Sequence, residues 1–209
     1  ANVTVVKGVD VSGDLIVKNA TNVNMDPTST VVVDGSVDIG YSGAGEDTVT
    51  GNITLTNITL DANGDGDGFG AAAELKVKST DGDITLAGTI DLNADPDETA
   101  QDGPDNIPGT ADDIAAGMAN NIEIWAPKGN IINDSGSAIA IDEVNNLTLK
   151  ALGSIGTAEK PITVNAKTVS VTSDGTAGDS NIYITNTPNV LNIDGDSDTV
   201  TLTTLNTGV

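Results

Sequence analysis

The chain has no cysteine, no histidine and no arginine, and its 209 residues include only one Trp, two Tyr and one Phe. Without Cys or His there is no disulfide framework, no structural zinc, no histidine-ligated haem, and no thiol or imidazole catalysis. Without Arg, the planar fork that grips a carboxylate or phosphate at two points is missing as well. Positive charge is scarce: eight lysines stand against 31 Asp and Glu, a formal charge of −23. A field that negative repels nucleic acid and anionic membrane. No stretch of the sequence approaches the ~20 consecutive apolar residues of a membrane-spanning helix. It opens on Ala1 rather than an initiator methionine and carries no signal-peptide core, so it reads as a mature protein or a piece of a longer one.

What the chain does have is pattern. Leu, Ile, Val and Phe number 52, about a quarter of the residues and above the roughly 20% at which highly charged chains stay disordered. They alternate with polar residues, as in Ile53-Thr54-Leu55, Leu75-Lys76-Val77, Ile84-Thr85-Leu86, Leu147-Thr148-Leu149 and Val169-Ser170-Val171. Period two bounded by Gly, Asn or Asp is the signature of short half-buried strands, and the fold is predicted to be all-β.

The strands also recur. Val9/Val11, Val31/Val33, Ile53/Leu55 and Leu75/Val77 follow one another at intervals of 22, and the step resumes at Leu147, Val169 and Leu191. Leu15/Val17 and Val37/Ile39 keep the same interval, and a looser series runs through Ile139/Ile141, Ile162/Val164 and Ile182/Ile184. Such self-similarity marks a repeat architecture. Short inward-facing pairs separated by corners describe a parallel β-helix, right-handed by the crossover rule, with about 22 residues per coil. Seven or eight coils at about 4.8 Å each give a rod roughly 35–40 Å long with an interior too narrow for many aromatics. Residues 1–209 then form one domain, with Ile53 and Leu75 neighbours in one parallel sheet. The competing reading is an antiparallel sandwich, which leaves the 22-residue register unexplained. Residues 93–121 interrupt the pattern with three of the seven prolines and many aspartates, as one long acidic insert.

The segment Ala151 to Thr187 resembles the β-helical repeats of filamentous-haemagglutinin-like adhesins and large bacterial surface proteins. The residues that carry the likeness are the turn Gly153 to Gly156, the Pro-led strand Pro161 to Val164, the strand Thr168 to Val171 and the strand Asn181 to Ile184. The resemblance covers about 40 residues well. It implies a parallel β-helix and an extracellular or cell-surface habitat. The run Gly103 to Asp113 also looks like an acidic insert of secreted bacterial repeat proteins, which implies calcium.

The residues point to calcium independently. Asp61, Asn63, Asp65 and Asp67 have the alternate-oxygen spacing of a calcium loop, with Gly66 permitting the bend. The position of a bidentate Glu is held by Ala72, and simple turn-forming corners have the same composition. Asp95, Asp97, Asp102, Asp105, Asp112 and Asp113 place six carboxylates within nineteen residues, which repel one another unless a hard cation neutralises them. Asp194, Asp196 and Asp198 form a weaker third set. Six Asn-x-Ser/Thr sequons occur, at Asn2, Asn19, Asn52, Asn57, Asn133 and Asn146, in corners where both residue types are abundant. Trp125, either facing opposite to Ile124 or lying at a corner, is expected at the surface, and one tryptophan is weak evidence for a sugar-stacking site.

Three functions fit this composition to different degrees. The first is a structural module of an extracellular fibre, sheath or surface layer, stabilised by calcium. The second is the stalk or passenger of an adhesin that contacts glycans or another cell. The third, a polysaccharide lyase or hydrolase, lacks the arginine of the one and the aromatic cleft of the other, so no enzyme is expected. Both ends read as strands without polar caps, so Val3 and Val5 are expected to meet Val200, Leu202 and Leu205 of another copy, head to tail, or flanking repeats of a longer chain.

Overall fold

A computed structural model describes residues 1–41, 48–60, 74–92, 121–174, 180–186, 190–195 and 199–204. The first coil is β1 (Asn2–Val5), β2 (Val9–Val11) and β3 (Leu15–Val17); the second is β4 (Asn22–Met25), β5 (Thr30–Val33) and β6 (Val37–Ile39). Next come β7 (Ile53–Leu55), β8 (Asn57–Leu60) and β9 (Glu74–Lys78), then β10 (Ile84–Leu86), β11 (Ile90–Asp91) and β12 (Asn121–Ala126). After β13 (Ile131–Asn133), the strands β14 (Ile141–Ala151) and β15 (Ile162–Ser173) are long enough to turn a corner. The series ends with β16 (Asn181–Asn186), β17 (Val190–Gly195) and β18 (Thr199–Thr204). There is no helix among the described residues.

Every pairing between these strands is parallel, and each strand lies against its counterpart in the next coil. Strands β1, β4, β7, β10 and β13 stack into the first sheet, and the single bridges Ile131–Ile155–Ile182 carry that face onward. Strands β2, β5, β8 and β11 form a second face, while β3, β6, β9 and β12 form a third. Because β14 and β15 run from the second face round to the third, these two faces join in one 13-stranded sheet. The architecture is a parallel β-solenoid, which excludes the antiparallel sandwich.

The inward residues form aliphatic stacks along the axis. Val23, Ile53, Ile84, Ile131, Ile155 and Ile182 line the first face, while Val37, Leu75, Ile122, Leu147 and Val169 line the third, all essentially solvent-free. Branched aliphatics suit a pleated wall that faces two others across a narrow gap, and burial of each is worth about 1.5–3 kcal/mol. The scarcity of aromatics follows from this geometry.

The 22-residue interval survives only in part. It correctly pairs Val9 with Val31, Leu15 with Val37, Leu147 with Val169 and Val169 with Leu191. Elsewhere it joins residues of different faces. Val31 lies against Ile58, not Ile53; Ile53 stacks between Val23 and Ile84, and Leu75 between Val37 and Ile122. Ile53 and Leu75 are therefore in different sheets, contrary to the expectation that they are neighbours. The looser series holds where Ile141 aligns with Val164 but is two residues out at its last step, since Ile162 aligns with Ile184 and Ile182 with Ile155. The physical reason is that inward pairs on all three faces are chemically alike, while the segments between them vary in length. From Val37 to its partner Leu75 is 38 residues, and from Leu75 to Ile122 is 47, against 22 in the coils that fit. Of the expected insert, 93–120 lie outside the described residues and Asn121 already belongs to β12.

Candidate functional site

The ten residues expected to hold calcium, Asp61, Asn63, Asp65, Asp67, Asp95, Asp97, Asp102, Asp105, Asp112 and Asp113, all lie outside the described residues, as do Asp196, Asp198 and Leu205. Among the described residues no group of three or more acidic side chains is placed to hold a metal. What the structure does place is the ends from which the two acidic segments leave. In sequence, residues 61–73 link β8 to β9, and 93–120 lie between β11 and β12, so each joins a second-face strand to a third-face strand in consecutive coils. Their flanks are neighbours, because Ile58 aligns with Ile90 and Glu74 with Asn121.

The corner that opens the first face carries a feature the 22-residue interval hides. Each inward first-face residue is preceded by a small residue and then a polar one: Ala1-Asn2, Thr21-Asn22, Gly51-Asn52, Gly82-Asp83, Gly129-Asn130, Gly153-Ser154 and Ser180-Asn181. The polar residues form a ladder. Asn22 Nδ2 donates to Asn2 Oδ1 (3.0 Å), and the Asn52 amide donates to Asn22 Oδ1 (2.9 Å). The Asp83 amide donates to Asn52 Oδ1 (3.0 Å) and the Asn130 amide to Asp83 Oδ1 (2.7 Å). Ser154 then donates to Asn130 Oδ1 (2.8 Å) and Asn181 to Ser154 Oγ (3.1 Å). Close stacking requires glycine in the middle coils: a Cβ on Gly129 would collide with the Gly82 carbonyl oxygen, and one on Gly153 with Asn130 Oδ1. Shorter runs open the other faces, as where the Thr89 amide donates to Asn57 Oδ1 (3.0 Å) and Ser36 to Asp14 Oδ1 (2.8 Å).

Five of the six sequon asparagines are engaged in such bonds: Asn2, Asn52, Asn57, Asn133 and Asn146. The sixth, Asn19, is exposed at the turn into β4 with a left-handed φ of 53°.

Strands β1, β2 and β3 each pair on one side, with β4, β5 and β6. Val3, Val5, Val11, Leu15 and Val17 pack only partly against the core, and Val9 is 37% exposed. Lys7 and Lys18 balance Asp10 and Asp14 in this coil, so it carries no side-chain net charge within a chain of −23. At the other end Val200 aligns with Ile182 and Leu202 with Ile184, in β18, which among the described residues pairs only with β16.

The outer surface of the third face holds the chain's one tryptophan. Trp125 aligns with Lys78 on one side and Lys150 on the other. The Lys78 ammonium sits 3.9 Å from the indole centroid and that of Lys150 5.9 Å, while the Tyr41 ring lies 6.4 Å away at 55°. Comparison with known proteins adds no relative: no family model, curated protein or solved structure matches the chain.

Glu123 ties this cluster together. Lys150 Nζ donates to its Oε1 at 2.7 Å. Burial pushes the Glu123 carboxyl up, but the hydrogen bonds of Lys150 and Tyr41 and the charges of Lys150 and Lys76 outweigh it and hold the group below its ordinary value. Burial, then the hydrogen bond to Glu123 and the charges of Glu123 and Asp38, push the Tyr41 hydroxyl up to about 12, so it is neutral at any physiological pH. Sequence reasoning found Trp125 alone. The residues that complete the cluster, Tyr41, Lys78, Glu123 and Lys150, are set beside it only by strand register.

Proposed function

We propose that the chain is a structural module of an extracellular or cell-surface fibre, sheath or surface layer: a right-handed parallel β-helix that stacks end to end, stiffened by calcium in its acidic segments. The observation that carries this reading is the first coil. Its three short parallel strands pair on one side among the described residues, around a partly exposed apolar interior with no net side-chain charge to repel a neighbour. A further coil, from a second copy or from flanking repeats of a longer chain, would cover both the edges and the interior. Such a head-to-tail contact does not close on itself and propagates as a filament. The charge on the sides would keep neighbouring filaments apart, and divalent cations would bridge them.

Sedimentation velocity tests the reading. The parent chain should form species whose size rises with protein concentration. Replacing Val3 and Val5 together with lysine, which buries no charge fully but places two at the end, should leave a monomer with an unchanged circular-dichroism spectrum. A parent that stays monomeric at high concentration with calcium present would defeat end-to-end stacking.

The calcium component has its own test. The flanks of the two acidic segments are neighbours in consecutive coils, and a sequence so dense in carboxylates carries a self-repulsion that a hard cation would relieve. Binding to the native state stabilises by mass action. Excess chelator should lower the melting temperature and speed protease cleavage between Asp95 and Asp113. Unchanged melting and cleavage would remove calcium from the proposal. The adhesin reading, a stalk or passenger that meets glycans, draws on Trp125 and its lysines; no enzymatic role is part of either.

A further inference from the structure

Two of the chain's four aromatic residues and three of its eight lysines meet on the outer surface of the third face, where neither the aliphatic core nor the corner ladder involves them. Lys76 pairs with Glu74 at 2.5 Å and Lys150 with Glu123 at 2.7 Å. Lys78 has no such carboxylate among the described residues and rests over the indole instead. With Asp38, these lysines and carboxylates cancel in charge, which sets the patch apart from the strongly negative whole.

A half-buried indole on the outer side of a parallel sheet is a stacking plane for the C–H face of a sugar ring. An ammonium held over that plane by cation–π attraction is easily moved, because such contacts at exposed sites are weak. When it swings aside it bares the ring and presents an unpaired positive charge at its edge. We propose that this surface binds a saccharide carrying a carboxylate, of the uronic acid class, with Trp125 as the stacking platform and Lys78 as the partner of the carboxylate. Glu123 and Tyr41 hold Lys150 and the rim in place and offer oxygens to sugar hydroxyls. The charge of the chain narrows the class further: a uniformly charged polyanion is repelled, whereas a largely neutral glycan with isolated acidic residues is not. This inference stands apart from the stacking proposal, since sedimentation reads one and ligand binding the other.

Because Trp125 is the only tryptophan, its fluorescence reports on this site alone. The full chain would be titrated with a glucuronic acid–glucose disaccharide and with cellobiose as the neutral counterpart. A saturable change in emission with the acidic sugar is expected, with affinity about fivefold above that for cellobiose, the yield of one exposed ion pair. Lys78→Gln should bring the acidic sugar down to the neutral level, whereas Lys7→Gln, in the first coil, should change nothing. Calorimetry on Trp125→Ala should show no binding, and circular dichroism should confirm that both outward-facing variants remain folded. Absence of saturable binding, equal affinity for the two sugars, or a Lys78→Gln variant that still prefers the acidic one would overturn the assignment.

Discussion

Replacing Ile84 with alanine should destabilise the rod by about 3–4 kcal/mol, the cost of a buried aliphatic deletion whose cavity cannot collapse. Ile84 is fully buried and stacked between Ile53 and Ile131, each fixed by parallel pairing of its strand. Each wall of the solenoid is stiffened by the hydrogen bonds between its stacked strands, so it has little freedom to close over a void. Urea unfolding measures the loss directly, as a lower midpoint. A solenoid is close to one-dimensional, each coil touching only its neighbours. A weakened fourth coil should therefore also broaden the transition, as the two halves begin to unfold separately. A loss below about 1 kcal/mol would mean that the interior is not close-packed at that level.

The second large effect belongs to the ladder. Asn130 is bonded in both directions: its amide and Nδ2 donate to Asp83 Oδ1 at 2.7 and 2.9 Å, and its Oδ1 accepts from the Ser154 amide at 2.8 Å. Asn130→Ala keeps the first bond and deletes the other two. It takes the side-chain acceptor from a half-buried backbone N–H and a donor from a carboxylate, so the expected cost is about 2–3 kcal/mol. Asn2→Ala, at the exposed first rung with a single side-chain bond, should cost no more than about 0.5 kcal/mol. Equal costs at the two positions would show that the ladder does not act through burial and bonding as described.

The contrast between these rungs and the 22-residue interval shows what is legible in such a sequence. Alternation identified inward pairs such as Ile84/Leu86 and Leu147/Leu149, because period two is a local property of a pleated strand with one dry side. Which pairs lie against each other is not local. It depends on the length of every intervening segment, and those lengths differ coil by coil. The marker that does recur is the small–polar–Val/Ile triplet beginning at Ala1, Thr21, Gly51, Gly82, Gly129, Gly153 and Ser180, whose spacing is too irregular for any fixed period to detect. Trp125 met the same obstacle: its partners Lys78 and Lys150 are 47 and 25 residues away, distances set by what lies between the strands.

The ladder also has a direction. From Asn52 onward, every backbone bond in it runs from the amide of a later coil to the side-chain oxygen of the coil before. No rung waits on a residue that follows it in the chain for its own acceptor. A polypeptide that emerges amino terminus first thus finds, at each turn, a coil already exposing the side-chain oxygen that its next rung amide needs. Growth of the rod and emergence of the chain proceed the same way. The cost of closing each new coil is that of the segment joining it to the coil before, which rises only slowly with length, rather than of a search through the whole molecule.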